Sequence, residues 1–314
     1  MVGPDNTVYA VDAFGTLHAV APDGTVRWKV AGAGSKGLAA GTDGTVYVGS
    51  EGAVRAYRPD GSLRWSYTQS PRAFIFLGLA LGPDGNLYAV GTHGMGVFSL
   101  TPEGTLRWAT PEPYDRPIVD YGEIVFASAG GRTQLAFYAN AHVRSLDLAG
   151  NQVFTVLGGG QPAASPLDGT IHVADRAYGP DGTLAWDSPL GAGGAPTVGP
   201  DGASHFVFLA SELDSVDAAG RTRFVATSTD WLGDPTVNPA GTFVLLAAID
   251  AVAGGGALQA RSTSGGALLW RLALPPGQHL DTRPSFSGDG STAYLVTAQS
   301  FLPQGSWLTA VWVR

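Results

Sequence analysis

The chain has 314 residues, of which 45 are glycine; 44% are hydrophobic and 14% charged, with a net charge of −8. Glycine stands at twice its ordinary share and charge at little more than half, a turn-rich apolar balance that excludes disorder and points to an all-β fold. With Lys29 and Lys36 as the only lysines and no basic run, nucleic acid and anionic membrane surfaces are not expected as partners; with no cysteine, disulfides, thiolate metal sites and cysteine nucleophiles are excluded.

Read in chain order, one phrase recurs. Met1-Val-Gly-Pro-Asp-Asn6 aligns with Thr197-Val-Gly-Pro-Asp-Gly202, so the sequence opens inside the first strand (A) of a unit. Asp23-Gly-Thr-Val-Arg-Trp28 closes that unit, and Asp60-Gly-Ser-Leu-Arg-Trp65, Glu103-Gly-Thr-Leu-Arg-Trp108 and Asp181-Gly-Thr-Leu-Ala-Trp186 close later ones. Weaker copies end at Phe154, Phe224 and Trp270, so the aromatics are separated by 37, 43, 46, 32, 38 and 46 residues. A period near 40 is that of a four-stranded propeller blade. In the second unit strand A spans about 37–41, B 45–50, C 53–58 and D 62–68, the last two joined by Pro59-Asp60-Gly61. Proline presets φ, aspartate accepts local backbone hydrogen bonds and glycine takes the positive φ of a bulged turn.

Between Trp108 and Phe154 the pattern loosens: Pro111 to Pro117 replaces a short connection, and strands are expected near 123–128 and 134–140. Further on, His205 to Ala210 and Thr242 to Ala248 read as B strands apolar on both faces, which fits sheets covered on both sides. The last unit offers strands at 283–287, 292–300 and 307–314. The units are approximately 1–31, 32–69, 70–110, 111–157, 158–189, 190–228, 229–274 and 275–314. Eight blades in a single propeller domain are expected, since seven would leave two strands over. With the first and last units clipped, the strand covering the last blade's outer edge is expected upstream of Met1. The apolar run from Phe243 to Leu258 is broken by Asp250 and three glycines, so no transmembrane segment is expected, and the N-terminal residues carry no signal pattern.

The Asp-Gly-Thr-(Val/Leu)-x-Trp phrase, preceded by stretches such as Thr45-Val-Tyr-Val-Gly-Ser50, resembles the pyrroloquinoline-quinone-like (PQQ-like) repeat family over nearly the whole chain. The resemblance implies a propeller of seven or eight blades and a role among quinoprotein dehydrogenases, outer-membrane assembly scaffolds or sensor domains. Departures weigh against the dehydrogenases. The family's Ala-x-Asp-x-x-Thr-Gly-x-x-x-Trp motif is a residue shorter here, as in Ala56 to Trp65, and its aspartate persists only at Asp147 and Asp217, in copies without tryptophan. Adjacent cysteines, large insertions and kinase signatures are absent from the sequence.

Propeller ligands usually sit in the loops at one mouth of the axial channel. The six histidines form no i, i+2 or i, i+4 pair; His172 and His205 read as satisfied core residues, and Ser287 to Gly290 reads as a hairpin turn rather than a calcium loop. Gly158 to Gly160 and Gly254 to Gly256 precede no helix and read as loops. Three D-to-A loops are richer: Tyr114, Asp115 and Arg116; Asp230, Trp231 and Asp234; and His279, Asp281 and Arg283. They are a candidate surface for a protein or small ligand, or alternatively loop polarity tied in local ion pairs. Trp28, Trp65, Trp108, Phe154, Trp186, Phe224 and Trp270 read as packing between blades. The expectation is a monomeric, non-enzymatic binding or scaffold module without a cofactor. The alternative is a quinoprotein-like (PQQ with calcium) or sugar-related propeller enzyme. The resemblance implies an exported, cell-envelope location.

Overall fold

The computed structural model describes residues 1–12, 14–50, 52–68, 76–91, 96–110, 123–139, 141–158, 160–191, 193–280, 283–299 and 306–313. Every regular element among them is a strand. Blade 1 holds β1 (Val8–Val11), β2 (Leu17–Val20) and β3 (Val26–Val30); blade 2 holds β4 (Lys36–Ala40), β5 (Val46–Gly49), β6 (Ala53–Tyr57) and β7 (Leu63–Thr68). Blade 3 holds β8 (Phe76–Leu81), β9 (Leu87–Gly91), β10 (Gly96–Leu100) and β11 (Leu106–Thr110); blade 4 holds β12 (Val125–Ala129), β13 (Arg132–Ala139), β14 (His142–Asp147) and β15 (Gln152–Leu157). Blade 5 is the shortest, with β16 (Pro162–Ala164), β17 (Ile171–Val173), β18 (Arg176–Tyr178) and β19 (Leu184–Asp187). Blade 6 holds β20 (Thr197–Val198), β21 (Ser204–Phe208), β22 (Glu212–Val216) and β23 (Thr222–Thr227).

In blade 7 strand A comes in two pieces, β24 (Asp230–Leu232) and β25 (Thr236–Val237), both paired with β26 (Phe243–Asp250), followed by β27 (Gly256–Ser262) and β28 (Leu268–Ala273). Blade 8 repeats the broken strand A as β29 (Gln278–Leu280) and β30 (Ser285–Phe286), both paired with β31 (Thr292–Gln299), which also pairs β32 (Ser306–Trp312). All pairings are antiparallel between strands near in sequence, and the fold class is an eight-bladed β-propeller. In blade 1 strand A is reduced to the bridge between Val2 and Val8. The chain divides into two compact units, residues 1–126 with 133–157 and residues 127–132 with 158–314.

Local chemistry makes each blade. In the turns Asp23, Asp60 and Asp84 each accept the backbone N–H two residues on, at 2.9, 2.9 and 3.2 Å. The following glycines hold φ of 87°, 84° and 76°. All seven C–D hairpins carry a register shift one residue before the turn, the expected bulge. B and C strands are buried, whereas D strands are half exposed, which makes D the outer edge. One expected strand is shorter than its apolar run. β21 stops at Phe208 because Leu209 and Ala210 take φ of 48° and 56° and form the B–C turn, putting Leu209 into solvent.

The D-strand tryptophan ties one blade to the next. Trp28, Trp65 and Trp108 donate Nε1–H to the carbonyls of Pro59, Pro102 and Leu148 at 2.7, 2.8 and 3.0 Å. Each indole lies on the following blade's turn glycine: a Cβ on Gly61, Gly104 or Gly150 would sit 2.9, 2.6 or 2.8 Å from ring carbon Cδ2. Within its own blade each indole meets a B-strand tyrosine, Tyr9, Tyr47 or Tyr88, with ring centroids 5.8, 5.7 and 5.9 Å apart. The arginine preceding the aromatic reaches back to the A–B turn of its own blade: Arg27 to Asp5, Arg64 to Asp43, Arg107 to Asp84 and Arg223 to Asp201, at 2.6 to 3.3 Å.

A pair of alanine substitutions isolates the indole contact. Gly85 and Gly104 share a left-handed backbone, but a Cβ at Gly85 meets nothing within 4 Å. Gly85→Ala is expected to cost about 1 kcal/mol from backbone strain alone. Gly104→Ala is expected to cost roughly 1–3 kcal/mol more from overpacking against Trp65. Urea unfolding midpoints check both values, and the excess is expected to vanish in a Trp65→Ala background.

Candidate functional site

The candidate loops fall at the D–A and B–C end of the blades. Tyr114, Asp115, Arg116 and Asp281 lie outside the described residues. Asp230 opens β24, is 7% exposed, and accepts Gln259 Nε2–H at 2.6 Å and Arg271 Nε–H at 2.9 Å. Gln259 accepts Arg261 Nε–H at 3.0 Å, and Arg271 also lies 3.8 Å from Asp250. Two buried or half-buried cations thus alternate with two carboxylates inside blade 7, the balance a low-dielectric interior requires. Burial lowers the Arg261 pKa, and the Asp230 charge opposes that shift.

Asp234 and Arg283, from two loops the sequence treated separately, meet at 3.0 Å. Each sits where strand A of its blade breaks, between β24 and β25 and between β29 and β30. Both also grip Ala195 ahead of β20: Asp234 Oδ1 accepts its N–H at 3.2 Å, and Arg283 Nη2 donates to its carbonyl at 3.1 Å. The trio forms a latch across blades 6, 7 and 8. His279 stands on β29 opposite Ala298 and is tied into the structure. Trp231 differs from the rest. Its neighbours Asp230 and Leu232 point inward, and the indole is 58% exposed beside the cross-strand Ile249, itself 38% exposed.

Sequence reading missed the apolar tips around Trp231. Leu209, at the B–C turn of blade 6, is 76% exposed, and Val252, at that of blade 7, is 98% exposed. Leu232 N–H donates to Ala210 O at 2.6 Å, which ties β24 to the blade 6 hairpin that carries Leu209. The signals were present: Leu209 is one residue too many for β21, and Val252 interrupts a small-residue hairpin that ends in three glycines.

Asp230 and Asp234 do not fit a calcium-held quinone. Asp230 and both oxygens of Asp234 already take donors from arginine, glutamine or backbone, whereas calcium needs several such oxygens turned to itself. Among the described residues no three His, Asp or Glu side chains converge as a metal set, and no helix is long and apolar enough to cross a membrane.

Perturbed ionisable groups lie inside the blades instead. Burial pushes His172 and His205 down to about 4, and each ring leaves Nδ1 without a partner, so these core histidines are only partly satisfied. Asp214, on β22, is 1% exposed; burial, then the Glu212 charge, raises it to about 6, and its Oδ1 has no partner.

Together these features define a protein built as a repeat propeller, with a polar latch and an apolar ledge at one end of its second unit. Residues 1–139 match the family model described as outer membrane protein assembly factor BamB, a PQQ-like repeat model. The sequence match covers less than half of the chain, and along the remainder the likeness is to the propeller fold. BamB from Moraxella catarrhalis is similar at 16% identity, with 98% of this chain and 92% of that one covered and a TM-score of 0.70. A streptogramin B lyase is similar at 14% identity over 89% and 94% of the two chains, TM-score 0.57. A catalytically inactive virginiamycin B lyase from Staphylococcus aureus, solved with quinupristin, is similar at 14% identity over 77% and 91%, TM-score 0.54. At such identities the likeness is one of fold. No curated protein sequence matches the chain.

The buried groups set an expected pH response. Below pH 6.5 the unfolded chain protonates His172 and His205 while the folded one, near 4, does not, so stability falls as pH drops from 6.5 to 4. Asp214 acts oppositely: its folded form keeps a proton up to about 6, so its contribution is lost as pH rises from 3.8 to 6. Two histidines outweigh one aspartate, giving a net loss toward pH 4. His172→Phe is expected to flatten the profile, and Asp214→Asn to raise stability at pH 7 and leave it unchanged at pH 4, read as urea midpoints across that range.

Proposed function

We propose that the protein is a non-enzymatic scaffold that holds a protein partner on the ledge formed by Leu209, Trp231, Ile249 and Val252. The observation that carries this reading is the contrast at one end of blades 6 and 7. The ionisable side chains are committed to one another, while an indole 58% exposed stands among aliphatic tips. Tryptophan on a rigid support anchors interfaces because it brings a large contact area at low ordering cost. The likeness to BamB, whose family is described as an outer membrane protein assembly factor, supports both the scaffold role and a location in the cell envelope. The enzyme alternative, a quinoprotein-like or sugar-related reaction, lacks carboxylates turned outward to serve it among the described candidates.

Photo-crosslinking from positions 231 and 252 in cells of the source organism is expected to trap a protein partner, and crosslinking from Val26, an exposed D-strand position, to trap none. A Trp231→Ser/Val252→Ser variant is expected to lose that partner with its melting temperature unchanged, because both side chains are exposed. A saturable rise in melting temperature with PQQ and calcium, or partner capture indifferent to the double substitution, overturns the reading.

A further inference from the structure

One position of the repeat changes sign in blade 6. It is the C-strand residue just before the one paired with the D-strand aromatic. In blades 1, 2, 4, 5 and 7 it is His18, Arg55, Arg144, Arg176 and Gln259, each able to donate a hydrogen bond. Each is engaged. His18 meets Asp12 at 3.0 Å, Arg176 meets Asp187 at 3.3 Å, Gln259 donates to Asp230 at 2.6 Å, and Arg144 is tied into the structure as well. Arg55 Nη1 reaches the D–A loop of the preceding blade, donating to the carbonyls of Gly32 and Ala33 at 3.3 and 2.9 Å. In blade 3 the position is apolar, Phe98.

Blade 6 places Asp214 there. It is 1% exposed, its Oδ1 accepts no hydrogen bond, and no cation reaches it among the described residues. The charge that acts on it is another carboxylate, Glu212, two residues away on the same face of β22. A buried carboxylate without a counter-ion is costly, and folded proteins pair such groups. Asp214 shares its face with Ser204, Phe206, Phe208 and Glu212. Phe206 and Val216 of that face pack with Ala177 and Trp186, so it looks toward blade 5. Ser204 Oγ and Trp186 Nε1 are also buried without partners. The D–A loop that follows blade 5 lies on this face: a Cβ on Gly193 would strike the Phe206 ring, and one on Gly191 would sit 3.5 Å from that of Phe208. Phe208 and Glu212, the row nearest the B–C turn, are only half buried and form the approach from solvent.

From this inversion we infer that Asp214 marks a binding site for a guanidinium group, lodged between β22 and the loop that carries Gly191 and Gly193. Blade 2 holds such a group between the equivalent strand and loop, where the chain itself supplies it as Arg55. In blade 6 the chain supplies the carboxylate and the ligand brings the cation. Asp214 accepts its N–H groups, Glu212 draws the ion in at the rim, and Phe206 and Trp186 offer aromatic rings of the kind on which this flat ion stacks. The site is independent of the ledge, and Trp231→Ser is expected to leave it intact.

The test uses butylguanidinium, with butylurea as its uncharged counterpart, added to the full chain above about pH 6, where Asp214 is ionised. Saturable binding by calorimetry and a rise in melting temperature are expected with butylguanidinium and not with butylurea. Asp214→Asn is expected to weaken binding at least tenfold, and Glu212→Gln by a smaller factor. Asp214→Arg restores the residue type of blades 2, 4 and 5 and is expected to abolish binding; if it fails to fold, the asparagine variant decides. An acetylated and amidated Gly-Arg-Gly peptide separates two sources of the group. Binding as tight as that of butylguanidinium assigns an arginine side chain of a protein partner, and binding at least tenfold weaker assigns a free small molecule. Butylguanidinium binding that Asp214→Asn leaves unchanged overturns the inference, as does binding no tighter than that of butylurea.

Discussion

One contact organises the chain: an indole laid on a glycine that cannot carry a Cβ. It explains why the turn residue is glycine even where aspartate is lost, as at Gly104 after Glu103. It also explains why the aromatic follows four residues later, because the segment that supplies the glycine to one neighbour must also place the aromatic for the next. Stability in such an array is a sum of blades and nearest-neighbour interfaces, and the indole is the main apolar mass at those interfaces. The ring is held by three different groups: a carbonyl on Nε1, a glycine beneath it and a tyrosine beside it. A phenylalanine in its place keeps the area and loses the hydrogen bond.

The second unit departs from this arrangement, and the departures are polar. At Trp186 a Cβ on Gly220 would lie nearest ring atom Cγ and the side-chain Cβ rather than Cδ2, and the buried Nε1 has no partner. The tyrosine position holds His172 in blade 5 and His205 in blade 6. Ser204, Asp214 and Ser215 add further unpartnered buried atoms in blade 6. Each such atom costs free energy unless something else is gained. These blades sit directly before the broken A strands of blades 7 and 8, where Asp234, Arg283 and Ala195 are locked together. The regular repeat is relaxed in the stretch that carries the ledge, which is where local rules are expected to give way to function.

The fold was legible because glycine, proline and aspartate act locally. A turn phrase announces itself within six residues, and its recurrence counts the blades. The site was less legible because its geometry joins residues far apart in the chain. Asp234 and Arg283 were both singled out, yet nothing in their spacing says that they neutralise each other through Ala195. The repeated arginine before each tryptophan was visible, but its partner lies some twenty residues back in the A–B turn, as with Arg64 and Asp43. Leu209 reads as strand from its sequence because hydrophobicity alone does not reveal a positive φ.

Exposure then separates two uses of tryptophan in one chain. Most indoles are spent inside the repeat, where a partner blade completes their contacts. Trp231 lies on strand A instead, where the repeat has no role for it. It is held outward by an inward-facing aspartate on one side and an inward-facing leucine on the other. A large apolar ring on a backbone held by the Asp234–Arg283 ion pair and its hydrogen bonds to Ala195 is poorly explained by folding.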